Sequence, residues 1–222
     1  MLVACWSPKG GCGTTVVTAA LGVLLAAGSP SGALVADLCG DVPTALGIDD
    51  HPDGPGLAQW LTAAPDVGGD ALARLERSVA PGLSLLPWHG PAAEVVSAAR
   101  AEALAEALAA DPRPVVADCG VVTGDRPEPG PTLASAAGLS LLVLRPCYLA
   151  LRRALAAPLR PSGVVLVNEP GRALGRADVE ALLEVPVRAE IDLDPAIARA
   201  VDAGLLAGRL PKVLERALRA AA

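Results

Sequence analysis

Residues 2 to 15 read Leu2-Val3-Ala4-Cys5-Trp6-Ser7-Pro8-Lys9-Gly10-Gly11-Cys12-Gly13-Thr14-Thr15. An apolar run, a glycine-rich turn and then a helical pattern over residues 14–27 read as strand, loop and helix. Gly10, Gly11 and Gly13 let the backbone curl with its N–H groups inward. The helix opening at Thr14 adds unpaired N–H groups and the positive end of its dipole. That is an anion cradle before any side chain is counted. A phosphate loop of the common kind closes on Gly-Lys-Ser/Thr, with the hydroxyl on Mg2+. Here the corresponding residues are Gly13-Thr14-Thr15. The usual lysine is Thr14, Thr15 keeps the metal-facing hydroxyl, and a different lysine, Lys9, opens the loop.

Short apolar runs alternate with helical patterns along the rest of the chain. Strands are predicted at 2–6, 33–37, 83–87, 115–118, 140–144, 163–167 and 187–191. The last is interrupted by Arg188 and Glu190. Helices are predicted at 14–27, 56–62, 71–79, 92–110, 148–156, 176–183, 195–203 and 211–221. Apolar strands without polar alternation are buried on both faces, which requires helices above and below a parallel sheet. The predicted fold is therefore α/β: one doubly wound, mostly parallel sheet with helices on both faces, in a single domain over residues 1–222. Glycine and proline clusters at 28–32, 53–56 and 127–131 read as turns. The third follows a strand's C-terminal end, the edge that carries ligand sites in such sheets.

Composition narrows the function. Of 222 residues, 52% are hydrophobic and only 2% aromatic, with no Phe. The core must be Leu, Val and Ala, and few side chains can stack on nucleobases. The net charge of −6 is uneven: residues 1–144 carry 6 basic and 15 acidic groups, residues 145–222 carry 12 and 9. Only two of the 18 basic residues are lysines, Lys9 and Lys212. A lysine at position 9 goes against the chain's habit, and a compact ammonium fits a phosphate loop where a planar guanidinium does not. The five cysteines contain no Cys-x-x-Cys pair, which argues against a zinc ribbon or thioredoxin motif. No apolar stretch has the length of a membrane span and no basic-then-apolar leader opens the chain, so a cytoplasmic location is expected. Cys12, Cys39 and Cys119 map to loops around the phosphate site. They read as a soft-metal or redox group if their sulfurs converge, and as small apolar fillers if they do not. His51 and His89 fall in turn-like segments.

Lys9-Gly10-Gly11-Cys12-Gly13-Thr14-Thr15-Val16 resembles the deviant Walker A motif of the MinD/ParA family, Lys-Gly-Gly-x-Gly-Lys-Thr-Thr, and departs from it at Thr14 and Val16. The resemblance continues along the chain. Leu34 to Val42 looks like the second strand and switch I, where the family has Asp-x-Asp and this chain has Asp37-Leu38-Cys39. Val115-Val116-Ala117-Asp118-Cys119-Gly120 looks like Walker B. Val164-Val165-Leu166-Val167-Asn168 looks like the strand whose terminal Asn reads adenine. Gly40-Asp41-Val42, followed by an apolar helix, is most similar to the TadZ/CpaE pilus-localisation branch.

The resemblance implies ATP or ADP with Mg2+ as cofactor. Lys9, Gly10, Gly11, Cys12, Gly13, Thr14, Thr15 and Asn168 would bind the nucleotide; Thr15, Asp37 and Asp118 would face the metal. It implies a homodimer in which Lys9 reaches the partner's nucleotide. It leaves open whether the chain is an enzyme, because Thr14 replaces the phosphate lysine and Cys39 the water-positioning carboxylate. The expected function is a nucleotide-binding positioning or scaffold protein with weak or absent ATP hydrolysis, localising a pilus or secretion apparatus and recruited to a pole or the inner membrane face. The alternative is an active ParA-type ATPase in DNA partitioning. DNA and a membrane surface are secondary partners: the basic bias of the last third reads first as solvated helix faces, and the short final helix as packing on its own domain.

Overall fold

The computed structural model describes residues 1–48, 54–64, 67–90, 96–123, 129–219 and 221. The first half of the chain runs β1 (Leu2–Ser7), α1 (Thr14–Gly28), β2 (Ala33–Asp37), α2 (Val42–Leu46), α3 (Leu57–Thr62), a 3-10 turn (Gly69–Arg74), β3 (Arg77–Ala80) and β4 (Leu83–Leu86). The second half runs α4 (Ala98–Ala110), β5 (Val115–Val121), α5 (Pro129–Ala136), β6 (Leu139–Leu144), α6 (Tyr148–Ala156), β7 (Gly163–Asn168), α7 (Arg176–Leu183), β8 (Val187–Asp192), α8 (Pro195–Asp202) and α9 (Lys212–Leu218).

The eight strands of the described residues form one sheet in the order β3-β4-β2-β5-β1-β6-β7-β8. Every pairing is parallel except the β3–β4 edge. Successive side chains of β1 go to opposite faces, as strand geometry requires. Leu2, Ala4 and Trp6 join α3, α4, α5, α6 and α7 on one side. Val3 and Cys5 join α1, α2 and α9 on the other, with α8 partly buried against them. All three tryptophans, Trp6, Trp60 and Trp88, belong to the first layer. The second is built from Leu, Val and Ala, with Leu214 and Leu218 of α9 buried in it. The final helix thus packs on its own domain, as its apolar stripe predicts. Among the described residues no helix is long and apolar enough to cross a membrane.

All seven expected strands are present. β8 alternates buried and exposed residues along its length, so Arg188 and Glu190 do not interrupt it; they are the outward half of an edge strand. Two helix expectations are corrected. Residues 71–79 do not form a helix: a 3-10 turn ends at Arg74, and β3 then pairs antiparallel with β4, placing Ala80 opposite Leu83. Pro81 and Gly82 make the two-residue connection, and Gly82 takes φ +75°, the conformation a Pro-Gly turn requires of its second central residue. The helix expected at 92–110 begins at Ala98, where Ser97 Oγ accepts from Arg100 N at 3.3 Å; residues 92–95 lie outside the described residues. The turn expected at 127–131 is corrected in part. Pro129 opens α5, where a proline's missing N–H is no loss; residues 127 and 128 lie outside the described residues.

Candidate functional site

β1 lies at the centre of the sheet between β5 and β6, and the residues that follow it face the C-terminal edge where the connections diverge. Ser7, at the end of β1, is buried. Its Oγ donates to Lys9 O at 3.0 Å and lies 3.3 Å from Gly120 O near the end of β5. The loop is therefore tied to the neighbouring strand at its first residue. Gly11 and Gly13 take φ +76° and +89°, a region that costs other residues about 1–2 kcal/mol. Among the described residues, a Cβ placed on Gly10, Gly11 or Gly13 would meet nothing within 4 Å. The loop thus presents bare backbone to open space. Gly13 caps α1 without a side-chain bond, and no charged residue occupies the helix's first turn. The helix N-terminus keeps its full positive potential for an anion.

The side chains around this cradle are unequal. Thr14 is buried. Lys9 is half-buried, and its Nζ donates to the adjacent Gly10 O at 3.3 Å. A second cation comes from a place that the motif reading did not single out. Arg145, directly after β6, donates through Nη1 to Gly11 O at 3.2 Å and pairs through Nη2 with Glu169 at 3.3 Å. Glu169 also holds Arg172 at 2.8 Å. The signal for Arg145 was its position: it is the first residue beyond a buried strand, at the ligand-bearing edge.

A cavity of about 260 Å³ opens beside the loop, bounded by Gly11, Cys12, Gly13 and Arg145 and floored by Val16, Val167, Ile191 and Ile197. That is near the small end of ligand pockets, roughly 300–1,000 Å³. Its floor is apolar, and its loop side offers backbone and the Arg145 guanidinium. Asn168 follows Val167 at the end of β7 but is not part of the cavity wall. Its amide donates to Glu190 at 3.3 Å and Asp192 at 3.4 Å.

Asp37 and Asp118 stand side by side in the parallel register of β2 and β5, both fully buried. Asp37 Oδ1 accepts from Cys39 N at 2.9 Å and Gly40 N at 2.8 Å; its Oδ2 accepts from Val42 N at 3.2 Å. This carboxylate organises the turn into α2. Burial pushes its pKa up, and those three N–H groups oppose the shift. Asp118 Oδ1 accepts from Gly120 N at 3.0 Å, but Oδ2 is buried without a hydrogen-bond partner among the described residues. Burial raises the Asp118 carboxyl to about 6, with the Thr15 hydroxyl pulling it down and the Asp37 charge pushing it up. Thr15 is therefore near enough to act on Asp118, though not in the geometry of an ordinary hydrogen bond.

The three cysteines of this edge do not gather. Cys12 packs into one core layer and Cys119 into the other. Cys39 is exposed, and its Sγ lies 3.8 Å from Asp118 O. Its sulfur joins the Asp37 and Asp118 carboxylates in a group whose ligand atoms are all within 4.8 Å of one another. His51 lies outside the described residues. His89 donates from Nδ1 to Gly54 O at 3.0 Å, a contact that fastens the segment before α3.

No protein-family model matches the chain, and no curated protein sequence does. Solved structures match along nearly its whole length. A ParA family ATPase from Chlorobium tepidum TLS superposes with a TM-score of 0.76 at 18% identity, covering 98% of this chain and 97% of that one. The septum site-determining protein MinD from Pyrococcus horikoshii OT3, complexed with Mg-ADP, gives 0.74 at 20% identity, covering 99% and 93%. A McdA–ATP complex from Cyanothece gives 0.73 at 18%, covering 99% and 95%. At such identities the likeness is one of architecture: the chain has the fold of the MinD and ParA ATPases.

Proposed function

We propose that this chain belongs to the MinD/ParA family, and that it holds ATP or ADP at the Lys9–Thr15 loop but hydrolyses it slowly or not at all. The observation that carries this is the loop itself. It is an open glycine cradle on an uncapped helix, beside a cavity sized for a base, and the residue at its phosphate-lysine position is a buried threonine. In this reading Lys9 and Arg145 supply the positive charge that Thr14 does not. Thr15 and Asp118 would face the Mg2+ of the bound nucleotide, where the ion offsets phosphate charge. Cys39 stands where the family places a water-orienting carboxylate, and a thiol does that poorly. Each group aimed at the developing charge is worth about 3 kcal/mol, so two losses lower turnover roughly 10⁴-fold.

Such a protein acts by its bound state rather than by its turnover. It works as a homodimeric positioning scaffold, joined through Lys9, for a pilus or secretion apparatus at a pole or the inner membrane face, as in the TadZ/CpaE branch. Calorimetry with ATP and Mg2+, paired with a turnover assay, tests this. Binding without appreciable phosphate release is expected, with Lys9→Ala losing nucleotide-dependent dimerisation. No binding would leave the loop a relic. Ordinary turnover together with ATP-dependent, salt-sensitive DNA binding would replace this reading with DNA partitioning.

A further inference from the structure

The group formed by Asp37 at the end of β2, Cys39 and Asp118 within β5 includes a sulfur donor that Mg2+ does not favour. Mg2+ takes six oxygen ligands in near-ideal octahedral geometry. Here the donors are two carboxylates and a sulfur, Asp37, Cys39 and Asp118, within 4.8 Å of one another. Thiolate with carboxylate is a donor set for zinc-class cations. A second observation points the same way: Asp118 Oδ2 is fully buried and has no hydrogen-bond partner among the described residues. A buried polar atom of that kind calls for a partner, and when no nucleotide brings Mg2+ to Asp118 a cation held by this group supplies one.

We propose that Asp37, Cys39 and Asp118 form a binding site for a thiophilic divalent cation of the Zn2+ type, occupied without nucleotide. Ligand atoms around one tetrahedral zinc lie roughly 3.5 Å apart, given bonds near 2.0–2.3 Å. Closure from the present spacing needs a shift of about 1 Å. The exposed Cys39 side chain has the most room to contribute to it, since Asp37 and Asp118 are held in the core. Gly120 makes room for that sulfur: a Cβ at residue 120 would lie 2.3 Å from Cys39 Sγ. Three protein ligands leave one position open to water on the exposed side, the arrangement of an accessible rather than a closed structural site. On binding, the Cys39 thiol gives its proton to solvent and the sulfur's lone pair to the metal, with no change of oxidation state. Two adjacent buried carboxylates gain a counter-charge at the same time.

Cobalt is the probe, because a Co2+–thiolate bond absorbs in the near ultraviolet whereas Co2+ bound to oxygen alone does not. The full chain, free of nucleotide and reductant-matched, is titrated with Co2+ and then with Zn2+. One cobalt per chain with a thiolate band is expected, bleached by Zn2+ and untouched by a large excess of Mg2+. Cys39→Ser abolishes the band, Asp118→Asn weakens cobalt binding at least 10-fold, and Cys12→Ser and Cys119→Ser keep the band. Cys39→Asp, which restores an oxygen-only donor set, loses the band yet retains Mn2+ binding; it serves as the second variant, with thermal melting to verify folding. Absence of the band in the parent chain overturns the proposal, and so does its survival in Cys39→Ser. Because no nucleotide is present, the result is separate from whether the loop binds ATP.

Discussion

Neighbouring strands β2 and β5 carry the same residue at the same register and treat it in opposite ways. At the end of β2, Asp37 is satisfied three times over by the backbone that follows it, through Cys39 N, Gly40 N and Val42 N. In the middle of β5, Asp118 has one backbone donor and, among the described residues, no partner for its second buried oxygen. A buried carboxylate serves structure when backbone N–H groups close around it. It stores unfavourable energy when they do not, and that energy is released only when something else binds. The first carboxylate holds the fold at this edge, whereas the second keeps an oxygen ready for an external partner.

Replacing each aspartate should therefore move stability in opposite directions. Asp37→Ala orphans three backbone donors at the entry to α2 and is expected to destabilise the chain by about 3 kcal/mol, read as a lower denaturant midpoint at unchanged slope. Asp118→Asn keeps an acceptor for Gly120 N and removes a buried charge. In metal-free buffer at pH 7.5 it is expected to stabilise the chain by about 2 kcal/mol. The sign follows from linkage: with a native pKa of about 6 against 3.8 for the ordinary carboxyl, the folded state holds the extra proton between those values. The parent's stability thus falls as pH rises through that window and levels above it. The Asn variant loses the Asp118 share of that fall, so the two curves converge near pH 4. A destabilised Asp118→Asn variant at pH 7.5 would erase the contrast. The smallest effect is expected at the neighbour that both strands share. Gly120 has φ +63°, and a Cβ there would crowd Cys39. Gly120→Ala should cost about 1–2 kcal/mol and displace the sulfur, which labelling of Cys39 by a thiol reagent would register as a changed rate.

What could be read from the residues alone was what is local in the chain. β1, β2, β5, β6 and β7 are apolar runs, and a run of that length admits few alternatives once helices flank it. The loop from Lys9 to Thr15 is also local, since glycine spacing encodes its curl directly. β3 was hidden because Arg77, Ser78, Val79 and Ala80 carry no alternation; their strand exists through pairing with β4, and only Pro81-Gly82 announces it. α5 was hidden because prolines at 129 and 131 read as turn residues unless they are placed in a first turn. At the site, Asp37 and Asp118 were legible one at a time, each as an aspartate ending an apolar run. Their adjacency, the arrival of Cys39 between them and the reach of Arg145 to Gly11 are products of strand order. β2 and β5 are neighbours, and so are β1 and β6, although each pair is far apart in sequence.

The alternation along β8 has a consequence for the life of the unfolded chain. Five strands of this sheet are almost uninterrupted apolar segments, the composition that templates intermolecular strand addition. The two strands that end the sheet differ. β8 turns Arg188, Glu190 and Asp192 outward, and β3 is a four-residue strand that opens on an exposed Arg77. Charge and brevity are what keep a sheet from growing beyond its last strand. The chain is thus built so that its most aggregation-prone segments are interior once folding ends, and its margins repel a second copy that arrives edge-on.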